Sequence, residues 1–198
     1  VRIHPNETAD IKEKDMEWLK TLALNKKVVA VGETGLDYHH DEPFRQVQKK
    51  WFIRQLEIAK ETGLPVIIHS RDAAEDTLNI IKTFYKSDTG EINGVVHCFS
   101  YSPEIAKIYV GMGFYLGIGG VVTFKNSRKL IDVVSQIPLD KLVLETDAPY
   151  LTPEPYRNER NSSLNLGYVA RKIAEIKGIT TQEVIDITER NAVKLYRL

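Results

Sequence analysis

The sequence predicts an α/β fold built on a buried parallel sheet, and three observations predict it. Apolar runs of strand length recur along the chain, helix-period stretches separate them, and polar residues with metal-ligating chemistry stand at the ends of several runs. Alternation of this kind is what parallel pairing needs, because two parallel strands must be joined by a crossover, usually a helix, that covers the sheet.

Taken in order, Val1-Arg2-Ile3-His4-Pro5 reads as the end of a strand. The first full run is Lys27 to Gly32. In the segment Pro43 to Thr62, Phe44, Val47, Trp51, Leu56 and Ile58 mark one helical face, and Gly63 stops the helix. The run Leu64 to His69 follows, then Asp72 with Glu75 as a capping box. After the run Gly94 to Phe99, Ser102 before Pro103 reads as an N-cap with proline in the first turn. The runs Phe114 to Gly119 and Lys141 to Thr146 complete the series, and Thr180 with Glu183 opens a helix expected to reach the C-terminus. With the opening stub this makes six strands. A closed barrel of βα units needs eight, so as a barrel this chain would lack about its first two βα units. An open, doubly wound sheet is the alternative. No linker, repeat or low-complexity tract interrupts residues 1–198, which predicts a single domain.

Composition narrows the function classes. Lys plus Arg and Asp plus Glu are both 27, so the molecule as a whole projects no strong field, and a broad basic face for non-specific duplex binding is not expected. A polyanionic substrate would need a local site. The single cysteine, Cys98, excludes an internal disulfide framework and a cysteine zinc cluster. No stretch approaches the roughly 18 apolar residues that span a membrane, so the chain reads as soluble and cytoplasmic.

The chemistry lies at the strand ends. Glu33 follows the run ending at Gly32, His69 ends the run from Leu64, His97 follows Gly94-Val95-Val96, and Asp147 follows the run ending at Thr146. In a parallel α/β barrel the active groups stand where strands end and loops begin. Four such positions deliver two imidazoles and two carboxylates, a set that suits Zn²⁺, Mn²⁺ or Fe²⁺ better than Mg²⁺. These four are expected to share one pocket.

Neighbouring residues are sorted by the alternation of side chains along a strand. If His97 faces the site, Cys98 faces the helices as a buried apolar thiol. Glu145 points with Asp147, either supporting the site or structural. His39 and His40, in an acidic loop with Asp41 and Glu42, read as solvated. The glycine-rich stretch from Gly111 to Gly120 fails the dinucleotide template, since the third glycine falls on Leu116 or Val122. A helix end at Gly111 or Gly113 and a turn at Gly119-Gly120 account for it. Pro149, Pro153 and Pro155 stiffen the loop after Asp147, so Arg157 and Arg160 are expected to face substrate, where guanidinium groups suit phosphate oxygens.

Four segments together, Gly32-Glu33-Thr34-Gly35-Leu36-Asp37-Tyr38, Pro65-Val66-Ile67-Ile68-His69-Ser70-Arg71, His97-Cys98-Phe99-Ser100 and Leu144-Glu145-Thr146-Asp147-Ala148-Pro149-Tyr150, closely resemble the signature segments of TatD-family deoxyribonucleases. Ile3-His4-Pro5 and Arg160-Asn161 resemble two further family segments, and the match runs along essentially the whole chain. The resemblance implies a (β/α)₈ barrel of the metal-dependent hydrolase type, up to two divalent ions (Zn, Mn, Mg or Fe), and hydrolysis of DNA phosphodiesters from a 3′ end. It implies Glu33 as the carboxylate bridging two metals, His69 and His97 as the remaining ligands of one, and Asp147 as a ligand of the other and catalytic with Glu33. His4 and Arg71 resemble positions lining the site.

Departures accompany the match. The family's opening strand, with a histidine-any-histidine pair, has no counterpart here, so the chain is expected to be N-terminally truncated and catalytically crippled. Arg2 stands where the family usually has glycine, and Ser162-Ser163 replaces a commoner glutamate-proline. The expected partner is DNA, as single strands or duplex ends. Two other readings stand beside it: a related hydrolase of amides, lactones or esters, D-aminoacyl-tRNA deacylation included, and an inactive fragment or scaffold.

Overall fold

Each full apolar run becomes a strand, but most start later than the periodicity predicts. The computed structural model describes residues 1–39, 44–86 and 93–198, and within it the chain divides into two units, Val1–Val96 and His97–Leu198.

In the first unit, β1 (Val31–Asp37), β2 (Val66–Arg71) and β3 (Gly94–Val96) pair in parallel in that order. The predicted run from Lys27 fails at its start because a turn follows the preceding helix: the N–H groups of Lys27 and Val28 both donate back to Asn25. At the other end β1 outruns the prediction. Its register against β2 shifts between Gly32 and Thr34, so Glu33 sits at a bulge inside the strand and pairing resumes through Asp37.

Val1 lies alongside β1 with the two-bond pattern of a parallel pair, donating to Ala30 O at 3.0 Å and accepting from Gly32 N at 2.8 Å. The rest of the predicted stub leaves that ladder for a 3₁₀ turn at Pro5–Glu7, where Asn6 N donates to the His4 ring. Around these strands lie α1 (Glu13–Ala23), α2 (Arg45–Thr62) and α3 (Ala74–Lys86), which bury Met16, Leu19, Trp51, Phe52, Leu56 and Ile81. The helix α2 ends at Gly63 in the left-handed conformation, as its sequence predicts.

Two buried polar side chains on α2 do backbone work. Gln48 accepts from Asp37 N at 2.8 Å and donates to Asp37 O at 3.0 Å. One heptad later, Gln55 accepts from Ile3 N at 2.9 Å and donates to Ile3 O at 3.0 Å. Both glutamines are essentially sealed from solvent, so each supplies a main chain with the donor and acceptor a neighbouring strand would otherwise give.

The second unit carries the parallel pair β4 (Tyr115–Ile118) and β5 (Leu142–Leu144), with α4 (Pro103–Gly111), α5 (Arg128–Gln136), α6 (Leu166–Lys177) and α7 (Thr181–Tyr196). Ser102 is the N-cap of α4 with Pro103 in its first turn. At α7 the capping box forms as predicted: Thr180 Oγ1 accepts from Glu183 N at 3.2 Å, and Glu183 Oε2 accepts from Thr180 N at 2.8 Å. Tyr109, Phe114, Leu116, Val133, Leu142, Ile173 and Leu195 fill the core. Asn191 fastens α7 to β5 by donating to the carbonyls of Leu139 and Leu142, at 2.9 and 2.7 Å.

Among the described residues there are five strands, all in parallel pairings, and closure into an eight-stranded barrel is not seen. None of the described helices is long and apolar enough to cross a membrane.

Candidate metal-binding site

In the first unit the bulge of β1 turns Glu33 toward β2, and His4, Glu33 and His69 bring ligand atoms within 4.8 Å of one another. His69, predicted to end its strand, lies two residues before the end of β2, and Glu33, predicted to follow its strand, lies within β1. His69 Nδ1 is 3.0 Å from Glu33 Oε1, and Nε2 is 3.0 Å from Asp37 Oδ2. Asp37 is 3% exposed, and its Oδ1 accepts from His39 N at 3.0 Å. Burial pushes the Asp37 carboxyl up, but the His39 N–H and the nearby His69 and Arg71 outweigh it, and the group ends below the usual carboxylate range.

Two further groups adjoin Glu33. Arg2 donates to Glu33 Oε2 at 2.8 Å, so the residue flagged as a departure sits on a predicted ligand. His4 Nε2 is 3.9 Å from Glu33 Oε1, and its ring meets the His69 ring edge-on with centroids 4.8 Å apart. Burial first, then the neighbouring His69, holds the His4 imidazole below its ordinary pKa.

In the second unit His97 follows β3 directly, and Asp147 lies three residues past β5 with a left-handed φ of 56°. His97 Nδ1 is 2.7 Å from Glu145 Oε2, and Nε2 is 3.3 Å from Asp147 Oδ1. Burial opposes the imidazolium, yet bonds to Asp147, Cys98 and Glu145 outweigh it, and the His97 pKa is raised. Cys98 does not face away as alternation predicts. The strand ends at Val96 and Cys98 takes a φ of 46°, so the two-residue period stops and Cys98 joins His97 and Glu145 in one group. Its thiol is pushed up to about 12, chiefly by burial, which agrees with an inert thiol rather than a nucleophile. The Cys98 N–H donates to Glu145 Oε1 at 2.6 Å.

The loop bearing Asp147 is held by Asn161, which is 4% exposed. Its amide donates to Thr146 O and Tyr150 O, each at 2.7 Å, bracketing Asp147, and its oxygen accepts from Ser162 N and Asn165 Nδ2 at 2.9 and 3.0 Å. Asn161 and Asp37 are the site residues that sequence reasoning missed. The available signal for Asp37 was Leu36 before it, which marks a strand still running.

The predicted phosphate contacts are placed as follows. Arg71 ends β2 and is exposed. Arg157 lies over the Phe124 ring, 3.8 Å from its centroid, a cation–π contact. Arg160 is exposed beside Asn161. His39 is exposed, with Nδ1 3.1 Å from Asp72 Oδ2, and His40, Asp41 and Glu42 lie outside the described residues.

The His69–Glu33 pair and the His97–Asp147 pair fit a divalent ion by donor chemistry and spacing. Two ligands at a zinc-like bond length of roughly 2.0–2.1 Å in tetrahedral array lie about 3.3–3.4 Å apart. His97 Nε2 and Asp147 Oδ1 show that spacing at 3.3 Å, and His69 Nδ1 and Glu33 Oε1 fall slightly inside it at 3.0 Å. Imidazole with carboxylate suits zinc, manganese or iron.

Comparison with known proteins places these features. A family model described as TatD related DNase matches residues 1–197. The metal-dependent hydrolase YabD of Bacillus subtilis is 46% identical over 195 residues, covering 98% of this chain and 75% of that protein. The 3′-5′ ssDNA/RNA exonuclease TatD of a Rahnella strain is 35% identical over 201 residues, covering 99% and 75%. The crystal structure of YJJV, a TatD homologue from Escherichia coli, superposes with a TM-score of 0.91 at 30% identity, covering 100% of this chain and 76% of that one.

Proposed function

The chain belongs to the family of TatD related DNases, as a metal-dependent hydrolase of that family, and from this premise we propose that it cleaves phosphodiester bonds of DNA, working inward from the 3′ end of a single strand. The observation that carries the reading is the double imidazole–carboxylate pairing at ligand spacing, His69 with Glu33 and His97 with Asp147. The direction of cleavage is supported by the named activity of the Rahnella relative.

In this reading Glu33 and His69 in the first unit, and His97 and Asp147 in the second, would hold divalent metal. When bound, a divalent ion would relieve charge on the phosphoryl oxygens and make a water easier to deprotonate. Asp147 also accepts the proton of the water that attacks phosphorus, which its carboxylate can do and an amide cannot. Arg71, Arg157 and Arg160 hold phosphates flanking the scissile bond without reading bases. With 27 basic against 27 acidic residues, strand binding then rests on these local contacts, so cleavage falls steeply with added salt.

The test is to incubate the chain with Mn²⁺ or Zn²⁺ and a 5′-labelled single-stranded oligonucleotide whose 3′ end is free or blocked. A ladder shortening from the free 3′ end, abolished by chelator and by Asp147→Asn, is the expected result. Metal-dependent hydrolysis of simple esters or amides with intact DNA would replace this reading by the other hydrolase class. Fewer than one tightly bound ion per chain would replace it by a scaffold.

A further inference from the structure

Two of the most exposed large apolar side chains of the second unit, Tyr150 at 70% and Leu164 at 89%, stand on backbone fixed by one buried amide. Asn161 donates to Tyr150 O at 2.7 Å, and it accepts from Asn165 Nδ2, the residue after Leu164, at 3.0 Å. Arg160, which is exposed, immediately precedes Asn161. Asn161 thus anchors the chain beneath an aromatic, an aliphatic and a cationic side chain, all three open to solvent.

The backbone at Tyr150 is held more firmly than an exposed ring requires. Its N–H donates to Asp147 O at 2.8 Å and closes a four-residue turn. Such a turn keeps its ends within about 7 Å of each other, so Tyr150 and Asp147 share one short, closed segment. Left-handed residues stand on both sides, Asp147 with a φ of 56° and Leu151 with a φ of 52°, conformations that disfavour residues other than glycine. Leu151 O packs where a Cβ on Gly120 would stand, so the glycine admits the loop. The ring so presented is not used by the fold: among the described residues the Tyr150 side chain has no ring, cation or hydrogen-bond partner. The nearby tyrosines differ. Tyr156 and Tyr168 meet with ring centroids 5.3 Å apart and hydroxyls 3.3 Å apart, and Arg171 lies 5.5 Å from the Tyr168 centroid.

We propose that Tyr150 is a base-stacking residue for single-stranded nucleic acid, its ring lying on a base near the scissile phosphate, with Leu164 bordering that base and Arg160 on an adjoining phosphate. The inference rests on the reading of the substrate as a DNA strand and adds the group that holds its bases. Aromatic rings beside cationic side chains bind single strands with little regard to sequence, because every base offers a π face. A base inside a duplex is already stacked on its neighbours, so the ring favours single strands. With its backbone fixed, the tyrosine has only two side-chain torsions to order on binding, which keeps the entropic cost small. The turn shared with Asp147 and the neighbouring guanidinium favour this occupant over a second copy of the chain.

The test is the fluorescence anisotropy of a 5′-fluorescein oligothymidylate titrated with the chain, with chelator present so that no strand is cut. Tyr150→Ala should raise the Kd by about 5–150-fold, the range for losing one base from an aromatic ring. Tyr150→Phe should keep the wild-type Kd, since the ring and not the hydroxyl stacks, and a blunt duplex should not respond to either change. An abasic site stepped along the strand should weaken wild-type binding at one position near the 3′ end and cost Tyr150→Ala nothing further there. Equal single-strand affinity in the wild type and Tyr150→Ala overturns the proposal, as does a loss in Tyr150→Phe as large as in Tyr150→Ala. A changed oligomeric state with unchanged single-strand affinity overturns it too, by assigning the ring to a contact between copies. An abasic scan with no sensitive position overturns it even if Tyr150→Ala fails to fold. A wild-type chain that binds no single strand removes the proposal together with the DNA reading, whereas the expected binding without cleavage in Mn²⁺ leaves it standing and removes only the nuclease assignment.

Discussion

Replacing Asn161 with alanine removes four hydrogen bonds in one step: two donated to Thr146 O and Tyr150 O at 2.7 Å, and two accepted from Ser162 and Asn165. Each is worth about 0.5–1.5 kcal/mol net, and water can reach the Tyr150 end of the cluster because that residue is 70% exposed. A loss of about 2–4 kcal/mol follows, or roughly 5–15 °C in Tm for a chain of this length. The effect on the site should exceed that on the fold. Asp147 is held at a φ of 56°, a conformation that costs a non-glycine residue about 1–3 kcal/mol, and once Thr146 and Tyr150 are released the loop relaxes away from it. Urea unfolding, with a chelator-competition titration for zinc, measures both. A destabilisation under about 1 kcal/mol with unchanged zinc affinity would show that the prolines alone hold the loop, and the reasoning would fail.

Gly117→Ala should displace the Glu145 carboxylate and weaken zinc binding by about 10–100-fold with native circular dichroism, because the added Cβ occupies the carboxylate's place; unaltered affinity would mean that Glu145 does not support His97. Arg2→Ala should tighten zinc binding by no more than about fivefold, the size expected of an ion pair at the surface, since the guanidinium competes for Glu33 Oε2; calorimetry showing weaker binding would make Arg2 part of the site. Asp76 is bonded by Lys49 and by the Tyr38 hydroxyl, which hold its carboxyl below the ordinary value of 3.8 against a smaller upward push from burial. Its folded pKa is the lower one, so its contribution is complete above the unfolded value and is lost as pH falls below it. Asp76→Asn should therefore flatten the acid limb of the stability curve below about pH 4, as urea midpoints at stepped pH would show, and an unchanged slope would count against it.

His97 and Asp147 were legible because each follows an apolar run whose end is visible in sequence. His69 was legible for the same reason, although β2 continues past it to Arg71. Glu33 is singled out by sequence for an incomplete reason: Gly32 and Gly35 look like the end of a strand, whereas they flank a bulge inside one. That misreading hid Asp37, since a carboxylate beyond a supposed strand end has no assigned direction. The expectation for Cys98 failed because alternation holds only while φ stays extended, and no sequence pattern announces the turn at that residue. Asn161 was visible only as part of a family resemblance. Its role depends on two carbonyls, 11 and 15 residues earlier in the chain, that local patterns cannot bring together.

The two glutamines of α2 set the timing of opening as well as the geometry. The amides of Ile3 and Asp37 are bonded to side chains of that helix and not to a neighbouring strand. Their exchange with deuterium should therefore follow the lifting of α2, two turns apart along its axis, or about 10.5 Å, and ignore fraying of the sheet edge. Both should slow or quicken together on variation of buried α2 residues such as Leu56, so that the segments behind His4 and His69 loosen as one cooperative unit with the helix.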